Sequence, residues 1–92
     1  MTLKQLKQTP WAKRFKEDCG GSSYERAIKL AMDKDLEFDI YKNDESGVVQ
    51  YSIIPVGEYL SRQDSTFWMD SFKKRKDAIS LIEEMGWKLA KL

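Results

Sequence analysis

The chain has 92 residues, 41% of them hydrophobic and 34% charged, which predicts a folded protein with one modest core and a single domain spanning residues 1–92. It contains no histidine and one cysteine. This excludes Ser-His-Asp and Cys-His catalysis, histidine-ligated metals, an internal disulfide and cysteine-rich zinc sites. The composition therefore predicts a non-catalytic binding protein that needs no cofactor, metal or small-molecule substrate.

Lysines interrupt every apolar run near the start of the chain, a pattern that predicts no signal peptide. The longest stretch without a charged residue, 46–57, is shorter than the ~20 residues that a membrane-spanning helix needs. One cysteine without a secretion signal is typical of proteins in a reducing compartment. We therefore expect a cytoplasmic protein that does not bind a membrane.

Three capping patterns in the first third of the chain predict the starts of helices. They are Thr2 with Gln5, Thr9 followed by Pro10, and Ser22 with Glu25. The glycine pair at 20–21 ends the second helix, and apolar residues at helical spacing extend the third to about Met32.

The hydrophobic period then changes from helical to alternating. Residues 35–41 alternate apolar and acidic side chains and predict a half-buried strand. A polar turn over 43–47 leads into a returning strand over 48–54, which Pro55 is expected to end. Residues 66–70 predict a third strand.

A C-terminal helix is predicted over residues 74–85, where apolar side chains recur at helical spacing. Gly86 stands where a left-handed residue ends a helix, and Trp87 follows in position to pack back. A three-stranded meander needs one face covered, and this helix is the natural cover. The predicted fold class is α+β, with N-terminal helices, a three-stranded antiparallel sheet and a C-terminal helix packed on the sheet.

Charge is segregated along the chain, although the net charge is only +1. Residues 1–16 hold five bases and no acid, residues 17–70 hold twelve acids against five bases, and residues 71–92 hold six bases against three acids. Faces of opposite sign suit a partner of mixed charge, a protein or a protein–RNA or protein–DNA complex, better than naked DNA or an anionic membrane. The alternative is that the basic ends neutralise the acidic middle within the monomer.

The acidic stripe, which we define as Asp35, Glu37 and Asp39, is the first candidate site. On a strand these carboxylates point the same way about 7 Å apart, close to the spacing of successive phosphates, so the stripe fits a Lys/Arg groove built for nucleic acid. The alternative is a solvated edge strand whose charges prevent unwanted pairing. The predicted partner-binding surface also includes Asp44, Glu45 and Trp68.

Trp68 alternates with Phe67 and Met69, so if those two are buried it lies on the opposite face of the sheet. An exposed tryptophan beside basic residues is typical of protein hot spots and of base-stacking platforms. In the alternative, which the need to bury Trp11 and Phe15 favours, the N-terminal helices cover that face and bury Trp68.

The densest positive segment, here called the basic run, stands at the start of the predicted C-terminal helix. Its members are Lys73, Lys74, Arg75 and Lys76. The helix macrodipole disfavours cations there, so the run makes a phosphate partner more attractive, bound by the side chains and by free backbone N–H groups. The alternative is a solvated helix start that Asp70 and Asp77 compensate. The predicted nucleic-acid-binding set also includes Lys13 and Arg14.

Residues 67–72, followed by Ala78, resemble the last strand and helix of three-strand-plus-helix DNA-binding domains such as the AP2-type and integrase arm-binding domains. Over residues 36–86 the order of elements is also similar to that of a double-stranded-RNA-binding domain. The resemblance implies direct binding of DNA or RNA through the start of the last helix. The acidic stripe departs from it, because carboxylates on the polar face of the sheet repel phosphates.

A chain of this size without catalytic residues, with segregated charge and exposed aromatic side chains, also resembles small phage-encoded anti-defence proteins, anti-CRISPR inhibitors among them. That resemblance implies a protein that binds a nucleoprotein effector of the host and blocks its nucleic-acid channel. Such an inhibitor is the leading hypothesis. The alternative is a direct DNA- or RNA-binding module that uses the basic run.

Overall fold

The computed structural model describes residues 1–44, 47–56 and 67–90. The chain divides into two compact units, Met1–Asp33 and Lys34–Leu92. The first unit is helical, and the second holds a mixed, mostly antiparallel sheet and a helix that contacts it. The predicted α+β fold class is confirmed. No helix in the described ranges is long and apolar enough to cross a membrane.

The first unit, all of which is described, consists of α1 (Leu3–Lys7), α2 (Pro10–Asp18) and α3 (Gly21–Met32). The first two helices begin as their capping patterns predict. The backbone N–H of Gln5 donates to the Thr2 hydroxyl at 3.1 Å, while the N–H of Thr2 donates to the Gln5 side chain at 2.8 Å. The hydroxyl of Thr9 accepts from the N–H of Ala12 at 3.2 Å and caps α2.

The predicted cap of α3 at Ser22 is wrong. The helix begins at Gly21 with Gly20 as its N-cap, and no side chain caps it. Both glycines have left-handed φ values, 53° at Gly20 and 55° at Gly21, which glycine adopts without steric cost. The glycine pair therefore turns the chain directly into the helix and leaves Ser22 inside the first turn.

The elements of the second unit are β1 (Glu37–Asn43), β2 (Gln50–Val56), β3 (Asp70–Phe72), α4 (Arg75–Met85) and β4 (Lys88–Leu89). Within the described residues the strands form one sheet in the order β3-β2-β1-β4. β2 pairs antiparallel with β1 and β3, as predicted. β4 adds a parallel strand beside β1 that was not predicted, because two residues are too few to show an alternating pattern.

The predicted end of the second strand at Pro55 is wrong, since β2 continues to Val56 and Pro55 pairs with Phe38. The carbonyl of Ile53 accepts from the N–H of Met69 at 2.7 Å, on the β3 side of the strand. Alternation along the strand puts the nitrogen of Pro55 on that same side. The proline therefore removes no hydrogen bond from the ladder with β1, and the strand tolerates it.

The third strand was predicted over 66–70; residue 66 lies outside the described residues, and the strand begins only at Asp70. Only Asp70–Phe72 pair with β2 in regular register, and they form β3. Phe67 and Met69, just before it, are both buried. Their burial explains the apolar alternation that indicated a strand, although the regular pairing starts only at Asp70.

α4 contacts β2, β3 and β4 and covers one face of the sheet. Its buried side chains are Ala78, Leu81, Ile82 and Met85. The helix ends as predicted at the left-handed Gly86 (φ 71°, ψ 20°), and the N–H of Trp87 donates to the Ile82 carbonyl at 3.0 Å. Trp87 then packs on Phe38, with 4.8 Å between the ring centroids.

Candidate functional site

The two faces of the sheet differ in character because side chains alternate along each strand. Phe38, which is 1% exposed and packs against the tryptophan that follows α4, points to the covered face. The side chains of the residues directly before and after such a position point to the other face. There the register sets Tyr41 opposite Ser52 and Asn43 opposite Gln50.

This second face carries an open groove of about 540 Å³, here called the sheet groove. Its lining residues are Tyr41, Asn43, Gln50, Ser52, Ile54, Trp68 and Ser71. Ser52 and Ser71 lie opposite each other on β2 and β3, and their hydroxyls hydrogen-bond at 2.9 Å. Two aromatic side chains and four polar ones thus line one continuous surface.

The exposure of Trp68 decides between two interpretations of the sequence. Phe67 and Met69 are buried, at 8% and 1%, whereas Trp68 between them is 48% exposed. The interpretation that Trp68 is buried is therefore wrong. Tyr41 is 41% exposed, so both aromatic residues of the sheet groove are accessible.

One end of the sheet groove is acidic. Glu37 and Asp39 lie on the groove face of β1, and Asp39 is opposite Ile54 in the register. Asp35 lies in the turn before the strand, so the prediction that all three carboxylates of the acidic stripe share one strand is wrong for Asp35. Lys88 on β4 is the neighbour of Glu37 in the parallel register of the two strands, so a positive charge lies beside that carboxylate. We call Glu37 and Asp39 the acidic end.

The other end of the sheet groove is basic. The register brings Asn43, Gln50 and Phe72 to the same end of the sheet, and the basic run follows Phe72 directly. All four basic side chains are exposed, and Lys74 is the N-cap of α4, to which no side chain gives a cap hydrogen bond. The sheet groove therefore lies between two carboxylates at one end, with Lys88 beside them, and four cations at the other end, with Asp44 beside them.

The remaining predicted site residues are not gathered at the acidic end. Asp44 is exposed directly after β1, about 23 Å along the strand from Glu37, and so lies at the same end of the sheet as the basic run. Its carbonyl accepts from the N–H of Gly47 at 3.1 Å. Glu45 lies outside the described residues. Lys13 and Arg14 are exposed on α2, in the first unit, and their predicted contact with nucleic acid stays a prediction.

Two carboxylates cap outward-facing N–H groups of the sheet. Asp70 accepts from the N–H of Ser71, and Asp39 from the N–H of Ile40, both at 2.8 Å. The backbone carbonyl of Ile53 accepts a hydrogen bond from the β3 side of β2, so the backbone polar groups of Ile53 face β3 and not β1. Its partner on β1, Ile40, therefore has its N–H pointing away from β2. The backbone hydrogen-bonding direction alternates along β3 as well, so the N–H of Ser71 also points away from β2. Charges at such positions oppose pairing with another strand. β1 is an inner strand that β4 pairs with only at Glu37 and Phe38, so the interpretation of the acidic stripe as an edge strand is wrong, although Asp39 caps an N–H beyond that pairing. The caps favour binding through the face of the sheet.

The chemistry of the sheet groove suits binding. Its described lining residues offer hydroxyl, amide, indole and phenol groups, and none of them is a carboxylate, thiol or amine. In the described ranges no three Cys, Asp or Glu side chains lie close enough to hold a metal ion. Cys19 is exposed on the first unit.

Sequence reasoning missed most of the sheet groove. Alternation did place Gln50 and Ser52 on one face of the second strand. It could not join them to Tyr41, because that requires the register between β1 and β2, nor to Ser71, because the third strand was placed too early. No protein-family model, curated protein or solved structure matches the chain. Both resemblances drawn from the sequence therefore stay predictions.

Proposed function

We propose that this chain is a non-catalytic binding protein that docks on a nucleic-acid-handling complex and blocks its nucleic-acid channel, as a phage anti-defence or anti-CRISPR inhibitor would. The observation that carries the proposal is the groove face of the sheet, which presents two exposed aromatic side chains. On it Tyr41 lies between Asp39 and the basic run, and Trp68 lies on the far side of β2 near the level of Asp39.

Charge complementarity supports a nucleoprotein partner. The carboxylates of the acidic end suit the lysine and arginine side chains that line a nucleic-acid channel, and the basic run suits phosphates that remain in it. A partner of one sign would be repelled by one of the two ends. A complex of protein with RNA or DNA carries both signs and complements the whole surface.

The aromatic residues and the capped edges support docking through this face. Tryptophan and tyrosine supply large contact areas with few rotatable bonds, which is why they dominate the energetics of protein interfaces. The N–H groups of Ile40 and Ser71 are already occupied by carboxylates. Strand addition at those positions would first have to break these hydrogen bonds, so the face of the sheet is the more accessible surface.

The proposal is tested by capture of the partner from nuclease-treated extract of cells that express the tagged protein. The acidic-end variant Glu37→Gln/Asp39→Asn removes two charges, while the asparagine amide at position 39 keeps an acceptor for the neighbouring N–H. The control Glu83→Gln/Glu84→Gln removes two exposed charges from α4. We expect a defined protein complex with the parent and the control, and affinity lower by at least about tenfold for the acidic-end variant. Equal binding by all three proteins contradicts the proposal.

A second candidate function is direct DNA or RNA binding through the basic run. The observation that favours it is that four exposed cations surround a helix start whose backbone donors no side chain caps. It predicts that the affinity for nucleic acid falls steeply with salt and that neutralising the basic run abolishes binding. Capture that disappears after nuclease treatment supports this candidate, and binding that is flat between low and moderate salt contradicts it.

A further inference from the structure

We infer that the sheet groove binds unpaired bases of a single-stranded nucleic acid. The inference rests on the proposed function, since it names what the docked protein would hold within the nucleic-acid channel of its partner. It assigns a role to Tyr41, Trp68 and the four polar residues between and beside them. Three properties of the sheet groove support it: the aromatic rings, the polar lining and the charges at its two ends.

The two exposed rings provide separate stacking surfaces. Tyr41 is on β1 and Trp68 lies just before β3, so β2 separates them; two strand spacings and an offset of about two residues along the strands put their backbones about 12 Å apart. That distance suits two bases, each stacked on one ring, better than a single base held between the two rings. Stacking on aromatic side chains accepts any base, because every base has a π-face.

The polar lining matches the edges of unpaired bases. Gln50, opposite Asn43 in the register, is exposed and carries an amide with donors and an acceptor. The hydroxyls of Ser52 and Ser71 bond each other and keep one further donor and free lone pairs between them. Unpaired bases expose mixed donors and acceptors on edges that are hidden in a duplex. An extended peptide, by contrast, would seek backbone N–H groups at a sheet edge, and those of Ile40 and Ser71 are capped.

The charges fix where the nucleic-acid backbone runs. The sheet groove extends about 13 Å from Asn43 to the level of Asp39, enough for the two or three bases that sheet-based RNA-binding modules stack. Beyond Asn43 the four cations of the basic run outnumber the single carboxylate of Asp44 and attract the phosphates, whereas the carboxylate of Asp39 repels them at the other end. The bound segment is therefore short, and its phosphate backbone leaves the sheet groove over the basic run.

The test measures binding of fluorescein-labelled 12-mers of oligothymidylate and oligouridylate by anisotropy, with a 12-base-pair duplex as comparison. We expect both single strands to bind more tightly than the duplex, and Trp68→Ala to weaken their binding about 5- to 150-fold. Trp68→Phe should restore most of the affinity because it restores a stacking ring. Lys73→Ser should lower the slope of the logarithm of the affinity against the logarithm of the salt concentration by about 0.7. Lys34→Ser, in the turn before β1 at the opposite end of the sheet, should leave that slope unchanged. Circular dichroism checks that each variant is folded.

Three results would overturn the inference. They are no binding of either single strand by the parent at about 50 mM salt, equal binding of single strands and duplex, and unchanged affinity of Trp68→Ala. Tryptophan fluorescence gives an independent readout, since stacking on Trp68 should quench emission in the parent and not in Trp68→Phe. If the parent captures a nuclease-resistant complex but binds no oligonucleotide, the inference fails and the proposed function stands. If the parent binds the oligonucleotides but captures no such complex, the proposed function fails and base binding by the sheet groove stands.

Discussion

Replacement of Phe38 with alanine tests the assignment of the two sheet faces. The side chain is 1% exposed, and its ring centroid lies 4.8 Å from that of Trp87. Truncation therefore leaves a cavity on the covered face and removes an aromatic contact, which together cost about 3–5 kcal/mol of unfolding free energy. A chain of this length has a total stability of only about 5–14 kcal/mol. The variant is thus expected to lose a large part of it.

Tyr41→Ala is the matched control, because Tyr41 is also an aromatic residue of β1 but is 41% exposed on the opposite face. Its loss should stay below about 1 kcal/mol. Urea unfolding followed by circular dichroism gives both values. Phe38→Leu, expected to cost about 1–1.5 kcal/mol, supplies a measurable value if Phe38→Ala does not fold. Losses for the two alanine variants that agree within about 1 kcal/mol would refute the assignment of the faces.

Three further predictions concern the ends of elements. Gly86→Ala should lower the melting temperature by roughly 4–8 °C. The φ of Gly86 is +71° and an added Cβ meets nothing within 4 Å, so the cost of about 1 kcal/mol comes from the backbone conformation and not from a clash. An unchanged melting temperature contradicts this prediction. Thr9→Ala should cost about 1 kcal/mol in urea unfolding through loss of the α2 cap, and Thr9→Ser should retain most of the stability. Asp70→Ala uncaps the N–H of Ser71 and should cause concentration-dependent self-association in sedimentation velocity; a variant that stays as monomeric as the parent argues against edge protection.

Features of the fold that depend on local chemistry could be predicted from the sequence. The capping box of Thr2 and Gln5 needs only residues three apart, and the stop at Gly86 needs only a glycine after an apolar repeat. The prediction of where α3 begins was wrong, and the reason is local as well. The serine pattern at Ser22 competed with two consecutive glycines, and the left-handed backbone that glycine permits determined where the helix begins.

Features that depend on pairing between distant segments could not be predicted. Pro55 was expected to end a strand, and it does not because its nitrogen faces away from β1, which only the register reveals. The two residues of β4 are ordered by the strand beside them and carry no pattern of their own.

The candidate site shows the same division between local and long-range information. Trp68 and the basic run stood out by residue type and charge, and both are exposed as the functional interpretation requires. The predicted acidic stripe included one residue too many, because Asp35 precedes the strand. Tyr41 and Ser71 are brought beside Trp68 only by a sheet in which β2 lies between them.

Photo-crosslinking tests most directly the claim that the groove face of the sheet is the docking surface. A photoreactive phenylalanine analogue is placed at position 68 in one protein and, as a control, at the exposed position 80 on α4 in another. After irradiation in cells and nuclease treatment, we predict a covalent product between position 68 and a subunit of a nucleic-acid-handling complex, and no such product from position 80. Crosslinks from position 80 alone, or the same products from both positions, would contradict docking through this face.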